Sequence, residues 1–240
     1  MPPENQTNPL TAEPTFSDAV VRAYARARSM GEICFNGSPG APRPVRAPLL
    51  PCVRLHEFLV HHEIEALRSF TLATQPGFEK ASVIADNVSL LDEQRRRSAV
   101  LFNLGGIDTL FRGRVLHVLP YVCERLAVPM FEPRHVEVQL TATPDRGFFS
   151  AHDDNSSEPV RSRRVTFVYY FTLGPTLYTG GSLHFLNRVN GGDATIQHTV
   201  APQHNMMVCF PSEILHEVTQ VRCSADFASN RFTVNGWIHG

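Results

Sequence analysis

At 240 residues the chain can build one large domain or two small ones around a substantial core. It is 42% hydrophobic and 19% charged, and its 22 basic and 23 acidic residues leave a net charge of -1, so no global field favours DNA, RNA or an anionic membrane. No apolar run is long enough to span a bilayer, the opening "MPPENQTNPLTAEP" has no charged segment followed by an apolar one, and Cys34, Cys52, Cys123, Cys209 and Cys223 form neither a disulfide framework nor a C-x-x-C motif, which together predict a cytoplasmic chain with reduced thiols and neither nucleic-acid nor membrane partners.

Residues 1–48 are rich in Pro, Gly and Ala ("NGSPGAPRPVRAP") and lack a sustained period, which reads as a flexible arm with one helical segment near 17–30. Residues 49–131 read as a helical support region. Leu55, Phe58, Leu59, Ile64 and Leu67 fall as a stripe that predicts a helix over 55–75. "DTLFRGRVLHVLPYVCERLAV" predicts a second helix over 108–128, kinked or interrupted at Pro120. Between them "RRR" at 95–97 reads as a solvated basic run, or as a contact for an acidic partner.

From residue 132 to 240 the texture changes. "VEVQLTAT", "RRVTFVYYFTL", "GSLHFLN", "ATIQHTV", "NMMVCFP", "LHEVTQV" and "RFTVNGWIH" are short, rich in β-branched and aromatic residues, and bounded by turn residues. With an eighth strand expected around 147–152, they predict a sandwich or barrel that closes as a jelly roll. The fold class is mainly β with N-terminal α-helices.

The chemistry concentrates around "SAHDDNSS". On a strand His152 and Asp154 share a face while Asp153 points the other way. An imidazole and a carboxylate suit a divalent transition metal, and His216 in "SEILHEVTQV" supplies a third ligand from another strand; two His and one carboxylate are the facial triad of non-haem Fe(II) sites. H-x-D alone is a weak signal, and His216 alone reads equally as a satisfied or exposed histidine. Arg231 then opens a strand with Thr233, Asn235 and Trp237 in phase. An inward Arg beside a metal needs an anion, and a dicarboxylate cosubstrate fits, with Thr233 as a hydroxyl donor to it. A surface Arg on an edge strand is the plain alternative.

With these residues in view, the sequence resembles the Fe(II)/2-oxoglutarate-dependent oxygenases, in their prolyl 4-hydroxylase-like branch, over about residues 132–239. The matching segments are "HDDN", "RRVTFVYYF", "GGSLHF", "LHEV" and "RFTVNGW". The resemblance implies a double-stranded β-helix core, with catalytic Fe(II) on His152, Asp154 and His216. It implies 2-oxoglutarate on Arg231 and Tyr170, Leu183 lining the pocket, O2 as co-reactant and ascorbate as a supporting reductant. Two departures stand out: Thr143 occupies a place where the family often has Tyr, and "TQVRCSADFAS" before Arg231 is longer than usual.

Other residues are expected away from the chemistry. Asp153 reads as solvated or as supporting the site, Asn155 as a brace for the turn, His184 as out of phase with the site, His198 as a core histidine, and "HHE" at 61–63 as an incomplete zinc motif. Loops 155–162 and 221–230 are expected to form a mobile, substrate-selecting rim. The expected function is hydroxylation of a prolyl residue in a protein or peptide. Oxidation of a small molecule, such as a free or carrier-bound amino acid, is the first alternative, and a non-catalytic barrel binding module the second.

Overall fold

The structure is a computed structural model that describes residues 51–85, 88–187 and 194–240; the expected arm at 1–48, with its helix near 17–30, lies outside the described residues. Strand β1 (Val53–His56) precedes helix α1 (His61–Ala73). The short strands β2 (Glu79–Lys80), β3 (Val83–Ala85), β4 (Val88–Leu90), β5 (Arg96–Arg97) and β6 (Ala99–Leu101) lead into helix α2 (Gly106–Leu126). The rest is β7 (His135–Thr143), β8 (Phe148–His152), β9 (Arg163–Phe171), β10 (Tyr178–Gly180), β11 (Leu183–Asn187), β12 (Thr195–Val200), β13 (Met206–Pro211), β14 (His216–Val218), β15 (Val221–Cys223) and β16 (Arg231–His239).

Two antiparallel sheets face each other, in the order β1-β13-β9-β16-β7-β6-β2 and β12-β11-β14-β8-β5. This is the expected jelly roll. The chain passes from the second sheet to the first at Ser98, between β5 and β6. The larger sheet draws β1 and β6 from before residue 132 and its central strands from after it. Its outer face, with Leu140, Phe167, Tyr169, Phe232 and Val234, packs on Ile107, Phe111 and Val115 of α2 and on Leu67 of α1 in one buried cluster. Its inner face, with Tyr170, Met206, Val208 and Phe210, packs on Leu183, Phe185 and Val200 of the smaller sheet. Period-2 alternation thus splits each strand between two cores.

Two helix expectations need correction. The stripe over 55–75 is not one helix: Leu55 lies on β1, which pairs with β13 at Leu55↔Met207. Glu57 then adopts a left-handed φ of 53° and separates strand from helix. The helix begins at His61 because Glu63 Oε2 accepts the Val60 N–H at 3.0 Å, satisfying an end donor. The five stripe residues are all buried, so the pattern marked burial while tertiary pairing chose the strand. The second helix runs through Pro120 without interruption. A buried ion pair, Arg114 Nη2–Glu63 Oε1 at 2.5 Å, ties α2 to α1. Among the described residues no helix is long and apolar enough to cross a membrane, and Cys52, Cys123, Cys209 and Cys223 are free thiols.

Candidate metal centre and cosubstrate cavity

β8 and β14 are neighbours, with His152 directly opposite His216 in the ladder. Asp154 follows the end of β8, held where its N–H donates to Ser212 O at 2.8 Å. His152 Nε2 lies 3.7 Å from Asp154 Oδ1, and His216 Nε2 lies 3.6 Å from Asp154 Oδ2. One ligand atom from each of the three falls within 4.8 Å of the others, the spacing a single ion requires.

The backbone sets the tautomer of both imidazoles. His152 Nδ1 is 2.8 Å from Ser150 O, and His216 Nδ1 is 2.8 Å from Ile214 O. A carbonyl only accepts, so each Nδ1 carries the proton and each Nε2 turns a free lone pair toward the centre. Rings hold them there: Phe149 stacks on His152 with centroids 3.5 Å apart, and Phe210 meets His216 edge-on at 4.7 Å. Burial, reinforced by the neighbouring His216, pushes the His152 pKa down to about 3. It is therefore neutral at physiological pH, the form that binds metal. Burial opposes ionisation of Asp154, but His216, His152 and the Thr166 hydroxyl together outweigh it and hold the carboxyl below its ordinary value. Thr166 Oγ1 donates to Asp154 Oδ2 at 2.7 Å and sits 3.0 Å from Ser212 Oγ.

These ligands border a cavity between the sheets that is open to solvent. Arg231, Thr233, Asn235 and Trp237 line it from β16 in the expected phase, and Leu183 lines it from β11. Arg231 is 3% exposed, and its guanidinium carbon stands 5.0 Å from the Tyr170 ring centroid. Gly181 makes room for it: φ is 66°, and a Cβ there would meet Arg231 Cδ at 2.4 Å. Three buried groups on this side, Arg231 Nε, Tyr170 Oη and Thr233 Oγ1, have no hydrogen-bond partner among the described residues. Burial pushes the Tyr170 pKa up to about 12, so the phenol keeps its proton and can donate. Three unpaired buried donors call for an acceptor-rich, anionic ligand. Thr143 lines the same cavity.

Several supporting residues escaped the sequence. Arg163 donates to Glu137 Oε2 at 2.5 Å and to the Asp154 carbonyl at 3.3 Å, and lies 3.8 Å over the Trp237 ring. His239 Nε2 meets Glu137 Oε1 at 2.6 Å. Long-range pairing of β7, β9 and β16 makes this cluster, and no local spacing reveals it. Asn155 braces the turn as expected, donating to Arg163 O at 3.1 Å, and Asp153 Oδ1 accepts the Ser156 N–H at 2.8 Å. His184 pairs with Glu217 at 3.1 Å, and neither it nor His198 lines the cavity. The 95–97 run is not a uniform solvated face: Arg95 and Arg97 are exposed, whereas Arg96 turns into the cavity. The 221–230 loop is also more structured than expected, with β15 paired to β10 and Ser229 hydrogen-bonded to Asp226.

Comparison with known proteins agrees with the class that this fold and site define. Residues 138–239, a little under half of the chain, match the family model of the 2OG-Fe(II) oxygenase superfamily, and the matched stretch carries all three candidate metal ligands. An uncharacterized PKHD-type hydroxylase of Synechocystis is 36% identical over 174 residues, covering 70% of this chain; the chain spans 57% of that relative's length. Among solved structures, a Pseudomonas putida prolyl-4-hydroxylase is 18% identical with a TM-score of 0.55, covering 79% of this chain and 93% of that one. A Trichoplax adhaerens prolyl hydroxylase, solved with a hypoxia inducible factor peptide fragment, is 19% identical with a TM-score of 0.56, covering 79% and 83%. The carbocyclase SnoK of nogalamycin biosynthesis is 14% identical with a TM-score of 0.53, covering 80% of each chain. At these identities the structures share the fold.

Proposed function

We propose that the protein is an Fe(II)- and 2-oxoglutarate-dependent dioxygenase that hydroxylates a prolyl residue in a protein or peptide. His152, Asp154 and His216 hold the iron. Arg231 takes the far carboxylate of 2-oxoglutarate, Tyr170 and Thr233 donate to it, and Leu183 forms the apolar wall. The observation that carries this reading is the pairing of two features in one cavity. Two Nε2 lone pairs converge on Asp154, and buried donors without partners surround Arg231. The donor set fits the iron, and the unpaired donors fit a dicarboxylate.

When bound, the iron with O2 and 2-oxoglutarate supplies the oxidising power for inserting oxygen into a C–H bond. The chain's own part is positional. The carbonyls of Ser150 and Ile214 fix the imidazoles, and Thr166 fixes one Asp154 oxygen. The two sheets shield the centre from bulk water while leaving a mouth for substrate. A prolyl side chain suits such a mouth because its ring is already ordered and loses little entropy on burial. The prolyl hydroxylases of matching fold support this choice. The SnoK carbocyclase favours the second reading, oxidation of a small molecule such as a free or carrier-bound amino acid, because the same fold serves a different outcome there.

The test incubates the protein with Fe(II), ascorbate, O2 and 2-oxoglutarate. One arm holds a library of Pro-containing peptides, the other free proline and other amino acids. Succinate formation coupled to gain of one oxygen atom on peptidyl Pro supports the proposal. Turnover confined to free acids replaces it with the small-molecule reading, and no succinate in any arm favours a binding module. Asp154→Ala should abolish Mn(II) binding measured by calorimetry and Asp153→Ala should not; the reverse result would sink the ligand assignment.

A further inference from the structure

Two guanidinium groups line the cavity, one from each sheet: Arg231 on β16 and Arg96 on β5. Arg96 is held in place. Its Nε donates to Ser98 Oγ at 3.0 Å, and its Nη1 donates to Ser82 O at 3.2 Å. Its guanidinium carbon lies 4.8 Å from the centroid of Phe149, the ring that stacks on His152. Among the described residues Nη2 has no hydrogen-bond partner, and no carboxylate lies within ion-pairing distance. Among the described residues the one acidic group whose field reaches it is Asp154, and a metal ion would draw that charge to itself. Burial lowers the Arg96 pKa to about 10, with Asp154 acting in the opposite sense, so the group stays cationic near neutral pH. A half-buried cation without a fixed counter-charge favours an anionic partner, and the planar guanidinium fork matches a carboxylate.

We infer that Arg96 is a substrate-recognition residue and that the group it takes is a carboxylate. This rests on the reading of the cavity as an iron and 2-oxoglutarate site, and adds to it a chemical feature of the substrate. The cosubstrate does not meet this need, because Arg231 and the unpaired donors beside it belong to the other sheet. Arg96 lies on the edge strand of the smaller sheet and is partly exposed, so a group arriving from solvent can reach it. The carboxylate has two sources compatible with the cavity: the terminus of a small amino-acid-like substrate, or an acidic side chain beside the target residue of a peptide.

The experiment measures binding by calorimetry to protein loaded anaerobically with Mn(II) and saturating 2-oxoglutarate, so that Arg231 is occupied. Two probe pairs differ only in carboxylate against carboxamide. They are N-acetylproline with N-acetylprolinamide, and blocked Ala-Pro-Glu-Ala with blocked Ala-Pro-Gln-Ala. The expected result is that one carboxylate probe binds about tenfold or more tightly than its amide partner. The pair that discriminates identifies the source. Arg96→Gln should erase the preference while Mn(II) and 2-oxoglutarate affinities hold, and Arg96→Lys should keep part of it. The inference is overturned if neither pair discriminates, if no probe binds, or if the preference survives in Arg96→Gln. It is also overturned if Arg96→Gln weakens Mn(II) binding as much as probe binding, because Arg96 would then only steady Phe149 and His152. Failure of the underlying functional reading looks different: the wild-type protein would bind neither Mn(II) nor 2-oxoglutarate.

Discussion

The two faces of the seven-stranded sheet are equally buried and chemically opposite. On β16, Val234 is 0% exposed and its neighbour Thr233 is 1% exposed. Val234 points to the helices, among Leu140, Phe167 and Phe232. Thr233 points to the cavity, beside Arg231, Asn235 and Thr141. The helix face is packed and holds the fold. The cavity face carries buried polar groups, of which some are paired, as in Asn235 Nδ2 to Thr141 Oγ1 at 2.8 Å. Others have no partner among the described residues: Arg231 Nε, Tyr170 Oη and Thr233 Oγ1. Burial alone therefore does not distinguish core from site. The distinction is whether buried donors have found acceptors, since leaving them unpaired costs stability unless a ligand completes them.

That contrast predicts opposite outcomes for substitutions on the same strands. Phe167→Ala opens a hole on the helix face, where the ring is fully buried and packs so closely on β16 that a Cβ at Gly236 would come within 2.2 Å of it. It should lower the unfolding free energy by about 3–5 kcal/mol in chemical denaturation. Arg231→Leu, on the cavity face, removes an uncompensated charge and should leave the stability of the ligand-free protein unchanged or raised. Its cost should instead appear in calorimetry as about 2–5 kcal/mol of lost 2-oxoglutarate affinity, with Mn(II) affinity kept. If Arg231→Leu unfolds the ligand-free protein, the cavity face is a structural core after all.

The same contrast explains what the sequence made legible. Alternation identified the strands and the shared face of Arg231, Thr233 and Trp237, because period 2 is a local property. His152, Asp154 and His216 could be grouped because their ligand chemistry is complementary and H-x-D is a local pattern, although Asp154 lies just past the end of β8. The helical stripe at 55–75 misled, because spacing reports burial, and Leu55 is buried through a strand pairing with Met207 far along the chain. Thr166, Ser212 and the Arg163–Glu137–His239 cluster were illegible for the same reason: their partners are set by sheet register. Arg96 was the nearest miss. The basic run was read as a whole, as a solvated face or a contact for an acidic partner, whereas alternation within it already puts Arg96 on the face opposite Arg95 and Arg97.

Support for the metal ligands can be probed one atom at a time. Thr166→Val keeps the volume and removes the hydroxyl that donates to Asp154 Oδ2 at 2.7 Å. Stability should change by less than the Phe167 case, while Mn(II) affinity should fall roughly 10–100-fold, the usual effect of losing a group that orients a metal ligand. Thr166→Ser, which retains the donor, should recover most of that affinity. Unchanged Mn(II) binding in Thr166→Val would mean that the backbone contact from Asp154 N to Ser212 O suffices to aim the carboxylate.

The smallest effect tests the contrast most directly. Thr233→Val replaces an unpaired buried hydroxyl with a methyl group of nearly the same shape. On the helix face the converse change, Val234→Thr, would bury a hydroxyl among apolar neighbours and should destabilise by roughly 1–3 kcal/mol. At Thr233 the sign should reverse: the ligand-free protein should gain a fraction of a kcal/mol, up to about 1 kcal/mol, because the unmet donor disappears. The gain should vanish when 2-oxoglutarate is added, since the wild-type hydroxyl then finds its acceptor and the variant has none. Thermal melts of both proteins with and without Mn(II) and 2-oxoglutarate read this directly. The curves should cross: variant above wild type when empty, wild type above variant when loaded. A variant that is less stable in both conditions would show that Thr233 has a structural partner in the folded protein, and would remove it from the cosubstrate site.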